Sequence, residues 1–229
     1  MATKRANAAM GTTSPATDTA REQTVRVLEV LRVKHPGAKY ELDWETPFQL
    51  LVATILAAQC TDERVNRVTK VLFPKYPDAA SLSKADTADV ESIIQPTGAY
   101  KQKAKLIQGA AKGVVEQFRG EVPRTVTELV TLPGVARKTA NVVLNTAWDI
   151  ASGIIVDTHV ARTSQRIGLS ANEKPEAIEQ DLMQLVPREE WTFFGPALVL
   201  HGRYTCTAKS PQCGACPMQS FCEKKGVEP

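Results

Sequence analysis

From Thr19 onward, apolar residues recur at the i+3 and i+4 spacing of helices buried along one face, and the breaks between runs carry helix start and stop signals. Thr19 and Glu22 form a capping box ahead of Val27, Leu28 and Leu31, and Pro36-Gly37 closes that helix. Thr46 and Gln49 form a second box, with Pro47 at the first helical position and Phe48, Leu51, Val52 and Ile55 on one face. Thr61 opens a helix through Val65, Val68 and Leu72 that is expected to stop at Pro74. Further helices hold Val90, Ile93 and Ile94 before Pro96, then Ile107, Val114 and Phe118 before Gly120, then a segment boxed by Thr125 and Glu128. The turn Leu132-Pro133-Gly134-Val135-Ala136 separates this segment from a helix running from Arg137 through Trp148. Two more end at Gly168 and Pro187, marked by Val160 and Ile167 and by Ile178, Leu182 and Leu185. The one strand-like run, Ile154-Ile155-Val156, is too short to build a sheet. An all-α fold with short connections is predicted.

Composition narrows the class only a little. Residues 1–18 are rich in Ala, Thr, Ser and Asn without an apolar period, and read as a disordered tail. A transit peptide fits them less well, since they carry few Arg and no amphipathic helix. Among the 229 residues, 43% are hydrophobic and only 6% aromatic, so Leu, Val, Ile and Ala carry the apolar content, as suits packed helices. A net charge of +3 and a pI near 8.6 permit a polyanionic partner without requiring one. No apolar run approaches the roughly 20 residues of a membrane span. A soluble, intracellular protein is expected.

Cys206, Cys213, Cys216 and Cys222 crowd one short stretch with intervening gaps of six, two and five residues. Four thiolates held this close complete either a tetrahedral zinc site or an iron–sulfur cluster. Structural zinc sites usually pair two short Cys knuckles; here only Cys213 and Cys216 form one, which favours the bulkier [4Fe–4S] cluster over zinc. A disulfide framework is the blander alternative, although the cysteine total of five is odd. Cys60 stands apart and reads as a small buried hydrophobe.

The turn at Pro133-Gly134 presents free backbone N–H groups at the positive end of the next helix, a site suited to phosphate. By itself it reads as an ordinary helical hairpin. Arg137 and Lys138 occupy that helix's first turn, where the macrodipole disfavours cations, so a functional reason for them is expected. For Lys138 the choices are holding a phosphate or acting as an amine nucleophile. The positive helix end and partial burial both favour the neutral, nucleophilic amine. Asp157 precedes Thr158-His159-Val160, where a helix begins, and its plainest role is an N-cap. Backbone N–H bonds there also keep a carboxylate ionised, so capping and charge stabilisation are compatible.

The hairpin Leu132 to Asn141, the segment Val156-Asp157-Thr158-His159 and the four cysteines, in this order, resemble the endonuclease III family of helix-hairpin-helix DNA glycosylases. The likeness extends to Ile55 through Asp62 and His201 through Cys206, and covers roughly Arg21 to Glu223. The resemblance implies a two-lobed all-α fold, with a central helical domain over 41–150 and an iron–sulfur domain formed by 19–40 and 151–229. It implies base excision repair of oxidised pyrimidines in duplex DNA, with lyase cleavage of the strand. In that pattern Lys138 is the nucleophile that forms a Schiff base at C1′, and Asp157 is the catalytic aspartate. Gln59 fills the space left by the extruded base, Gly134 and Ala136 hold a phosphate through their backbone, and the four cysteines ligate a [4Fe–4S] cluster. Arg137, Tyr100, Lys101, Arg203 and Lys209 are further candidates for DNA contact, with Lys103 and Lys105 beside Lys101 on the same helix. A monomer in the cytoplasm, at the bacterial nucleoid, is implied. Two positions depart from the family pattern. Ala136 places a Cβ where a second glycine is usual, and Ala99 stands where a larger apolar wedge is usual, with Tyr100 next to it as a substitute.

Three other readings compete. An adenine-mismatch glycosylase would share the cluster and the aspartate but lack Lys138. A non-catalytic module would use the hairpin only to grip phosphates. A zinc-dependent helical regulator would be colourless.

Overall fold

The computed structural model describes residues 18–227. The tail expected over 1–18 lies outside them except for Asp18, the first residue of α1 (Asp18–Lys34). Among the described residues there are eleven α-helices and no strand. After α1 come α2 (Pro47–Leu56), α3 (Asp62–Lys75), α4 (Ala79–Ser83), α5 (Thr87–Ile94), α6 (Tyr100–Phe118) and α7 (Val126–Leu129). The chain continues through α8 (Arg137–Trp148), α9 (Thr158–Ile167), α10 (Pro175–Leu185) and α11 (Trp191–Tyr204).

The caps explain where several helices start. Thr46 Oγ1 accepts from Gln49 N at 3.2 Å, while the Gln49 side chain accepts from Glu45 N at 2.8 Å. Thr125 Oγ1 accepts from Glu128 N at 3.2 Å and donates to the Glu128 carboxylate at 2.7 Å. Thr61 caps α3 by position alone, with no side-chain bond. That helix also passes the expected stop: Pro74 lies inside it, in the last turn before Lys75. Two helices carry no clear period. α4 is a five-residue turn boxed by Asp78 and Ser81. α11 is buried on nearly all sides, through Phe194, Ala197, Leu198, Val199 and His201, and tolerates Pro196 inside it. A helix apolar all round has no polar stripe by which to read its period.

The buried apolar side chains gather into two cores. The first draws on residues between Leu42 and Leu144, where α2 packs on α8 and both α4 and α5 pack on α6. The second joins α1 to everything after Ile154, with α11 packed against both α1 and α9 around Phe194, Leu198 and Ile178. Leu50, Leu51, Ile107 and Leu144 in one core, and Leu31, Leu182 and Phe194 in the other, are essentially inaccessible to water. Burial of this kind, at about 25 cal/mol per Å² of apolar surface, is the dominant stabilising term in each lobe. The run Ile154-Ile155-Val156 is buried and forms no strand, and it leads the chain from α8 to α9.

Candidate active site and cysteine centre

The hairpin between α7 and α8 turns on a glycine in a backbone conformation that other residues rarely adopt. Gly134 has φ +79°, and a Cβ there would lie 3.1 Å from Leu106 Cβ and 3.3 Å from Ile55 Cγ2. Its neighbour Val135 is buried and donates to Leu132 O at 3.1 Å, closing the turn onto the first core. Ala136 is different. As N-cap of α8 it is extended, at φ −84° and ψ 168°, which any residue adopts, so its Cβ introduces no backbone strain. No side chain caps α8, which leaves its first-turn N–H groups to an external acceptor.

Arg137 and Lys138 follow in that first turn. Arg137 is half exposed and pairs with Glu179 of α10, donating from Nη2 to Oε1 at 3.1 Å. Asn141 donates to the same Glu179 oxygen at 3.2 Å, so a nearly buried carboxylate ties the start of α8 to the second lobe. Gly153 makes room for this contact, since a Cβ there would sit 2.3 Å from Glu179 Oε1. Lys138 is exposed and reaches the cleft beside α8.

Asp157 enters the same cleft from the other lobe. It is the N-cap of α9, and its Oδ1 accepts from both His159 N and Val160 N at 2.8 Å. The cleft, of about 480 Å³, is lined by Lys138, Asp157, Gln59, Thr139, Ile155 and Tyr40 among others. Lys138 and Asp157 also share an adjoining cavity with Arg137 and Glu179. Tyr40 carries no signal in the sequence. Its hydroxyl is buried without a hydrogen-bond partner among the described residues, and burial, followed by the charge of Asp157, pushes its pKa above the phenol range.

Of the remaining candidates, Gln59 and Arg203 also line this cleft. Gln59 is exposed in the turn after α2, with a left-handed φ of 54°. Tyr100 begins α6 and packs partly against the first core, while Lys101 and Lys105 are exposed. Lys103 points inward and is only 5% exposed, so it does not share their solvent-facing surface. Arg203 lies between two carboxylates, donating to Asp62 Oδ2 at 2.8 Å and to Glu41 Oε2. Tyr204 Oη donates to the other Glu41 oxygen at 3.0 Å, and this cluster pins α11 to the start of α3. Lys209 is exposed on the loop between Cys206 and Cys213, whose backbone is held by Arg166 through Thr207 O at 2.7 Å and Ala208 O at 3.0 Å.

All five cysteines are free thiols, which disposes of the disulfide framework. Cys206, Cys213, Cys216 and Cys222 line one cavity together with His201, Ile167 and Met218. Burial pushes the Cys216 and Cys222 thiols upward, and the neighbouring thiols add to the effect. Such a donor set ionises readily only around a compensating positive centre, which is what an iron–sulfur core supplies. Cys60 is half-buried against the first core, away from the four.

The two-lobed helical fold, the hairpin and the cysteine loop define the class, a helix-hairpin-helix DNA glycosylase of base excision repair. Residues 52–188 match the HhH-GPD superfamily of base excision DNA repair proteins, and residues 206–222 match the iron-sulfur binding domain of endonuclease III. An endonuclease III from Synechocystis sp. is 52% identical over 202 residues, spanning 88% of this chain and 92% of the relative. The Bacillus subtilis endonuclease III is 44% identical over 84% of this chain and 90% of its own length. A solved structure of a trapped endonuclease III–DNA covalent intermediate, in an estranged-adenine complex, superposes with a TM-score of 0.85 at 40% identity, covering 89% of this chain and 96% of that one. The chain belongs to the endonuclease III family. Its cofactor is a [4Fe–4S] cluster. Among the described residues no helix is long and apolar enough to cross a membrane.

Proposed function

We propose that the protein removes oxidised pyrimidines from duplex DNA through a Schiff base at Lys138 and then cuts the strand by β-elimination. The observation that carries this reading is the meeting of Lys138 from α8 and Asp157 from α9 in one cleft, beside a helix start that no side chain caps. The damaged nucleotide leaves the stack and enters the cleft. Lys138 Nζ, once deprotonated, attacks C1′, and the glycosidic bond breaks with its electron pair leaving on the base. The sugar ring then opens to an iminium. Loss of a C2′ proton expels the 3′ phosphate, and water finally hydrolyses the iminium and frees the lysine. Asp157 spends one oxygen on the α9 cap. The rest of its carboxylate faces the cleft chemistry, where it takes the Lys138 proton and stabilises positive charge on the sugar, as a carboxylate does in glycoside hydrolysis.

In this reading Gly134, Ala136 and Arg137 hold a phosphate, Gln59 fills the vacated stack, and Tyr100 supports Ala99 on the facing side. Lys101 and Lys209 contact phosphates, while Arg203 braces the cleft through Asp62 and Glu41. Cys206, Cys213, Cys216 and Cys222 ligate the cluster, whose role is to hold the Lys209 loop. The lobes correspond to 41–150 and to 19–40 with 151–229, and the protein acts as a monomer on DNA in the cytoplasm. A relative 40% identical to this chain has been trapped covalently on DNA, which supports the Schiff base. Borohydride trapping tests it directly. Wild-type protein is expected to cross-link to duplex carrying an oxidised pyrimidine, and Lys138→Ala is not. Failure of the wild type to cross-link would favour the non-catalytic binding module.

A further inference from the structure

Lys103 sits on α6 one turn beyond Tyr100, and its ammonium is withdrawn from solvent at 5% exposure. Among the described residues no carboxylate pairs with it. Its Nζ donates instead to two main-chain carbonyls, Leu56 O at 2.9 Å and Thr97 O at 2.8 Å. Burying an ammonium on carbonyl dipoles alone is costly, and an apolar side chain of the same length would fill the space without that cost. The bonds it makes therefore merit a reason.

The two acceptors lie in different parts of the chain but in equivalent places. Leu56 ends α2, just before the turn that carries Gln59, and Thr97 ends the short 3₁₀ turn just before Gly98-Ala99-Tyr100. Each turn holds a non-glycine residue in the left-handed region, Gln59 at φ 54° and Ala99 at φ 46°. Of the other three such residues among those described, Arg119 and Asp149 are ordinary left-handed helix C-caps and Lys224 lies in the C-terminal tail. Gln59 and Ala99 are instead exposed in open turns, where a strained conformation persists only if the surroundings impose it. One ammonium bonded to the root of both turns is such a constraint.

We infer that Lys103 is a positioning residue for base extrusion, clamping the Gln59 turn and the Ala99-Tyr100 turn at the separation with which both enter the duplex. This rests on the proposal that these turns flank the extruded nucleotide. The clamp matters more here because Ala99 is small, so the placement of the turn has to do what a bulkier wedge would do by reach.

The test compares holoprotein wild type, Lys103→Met and Lys103→Gln on two substrates. One is a duplex with an oxidised pyrimidine and 2-aminopurine beside it; the other is single-stranded DNA with a pre-formed abasic site, where nothing need be extruded. Lys103→Met is expected to lose the 2-aminopurine fluorescence rise and to slow single-turnover base release by roughly 10- to 100-fold, the cost of misplacing a positioning element. Cleavage of the single-stranded abasic site stays within about threefold of wild type, because the Lys138 chemistry is intact. Wild-type extrusion by the variant, or an equal loss on both substrates in a folded variant, overturns the inference. If Lys103→Met loses its cluster absorbance or its melting transition, Lys103→Gln, which keeps an N–H donor, goes through the same comparison; if neither folds, the residue is structural and the inference falls. A wild type inactive on both substrates refutes the Schiff-base reading instead.

Discussion

Replacing Asp157 with Asn separates the two roles that this side chain combines. The cap uses a single oxygen, Oδ1, which accepts from His159 N and Val160 N at 2.8 Å, and an Asn carbonyl takes that place with equal helix preference. What the amide lacks is the negative charge. The loss of charge at the positive end of α9 costs about 0.3–1 kcal/mol. In a chain of this size that corresponds to a melting shift of only ~1–4 °C. The barrier to base release, by contrast, loses a positioned proton acceptor and charge stabiliser, worth about 10²–10⁴ in rate. That is ~3–5 kcal/mol of transition-state stabilisation. Asp157→Ala, measured alongside, loses the cap as well, for about 1 kcal/mol more. Thermal unfolding and single-turnover base release under matched conditions read the two quantities independently. A wild-type rate in Asp157→Asn would reduce Asp157 to a helix cap and refute its catalytic assignment.

The hairpin predicts an asymmetry between its two small residues. Gly134→Ala combines a left-handed φ with contacts at 3.1 and 3.3 Å, and is expected to destabilise the fold by about 2–4 kcal/mol, seen in thermal melts and in weakened binding to undamaged duplex. Ala136→Gly, at an extended N-cap, shifts stability by less than about 1 kcal/mol in the same melts. Lys209→Ala is expected to weaken DNA binding evenly across sequences and to lower the slope of log affinity against log salt by about 1, measured by titration at several ionic strengths. Cys213→Ala removes a cluster ligand: the purified protein is expected to lose its iron absorbance and much of its DNA affinity, while helical circular dichroism from the first lobe is retained. A variant with full iron content and affinity would place the cluster elsewhere.

Arg203 and Lys103 show what side-chain chemistry alone leaves unsaid. Both are cations in segments that resemble a DNA-binding family, and both invite a phosphate contact. Arg203 is found between Asp62 and Glu41, and Lys103 between two carbonyls in the first lobe. The bulk of their environment comes from residues remote in the chain, so no local pattern announces it. Tyr40 is the opposite case, an unmarked residue that the fold delivers to the cleft.

What sequence alone determined was whatever depends on near neighbours. The bonds at Thr46, Thr125 and Asp157 join residues two or three positions apart, so the helix starts they set are readable in one dimension. The cysteine spacing and the Pro133-Gly134 turn were legible for the same reason, whereas the contacts with Leu106 and Ile55 that crowd position 134 were not. The tertiary structure decided which of these local pieces face one another. It buried α11 on nearly every side despite Pro196, turned Lys103 inward beside α2, and brought the first turn of α8 to the cap of α9. Those outcomes follow from how two apolar cores close against each other, and hydrophobic burial is non-directional: it requires that the faces be covered, but their partners emerge only when the whole chain packs.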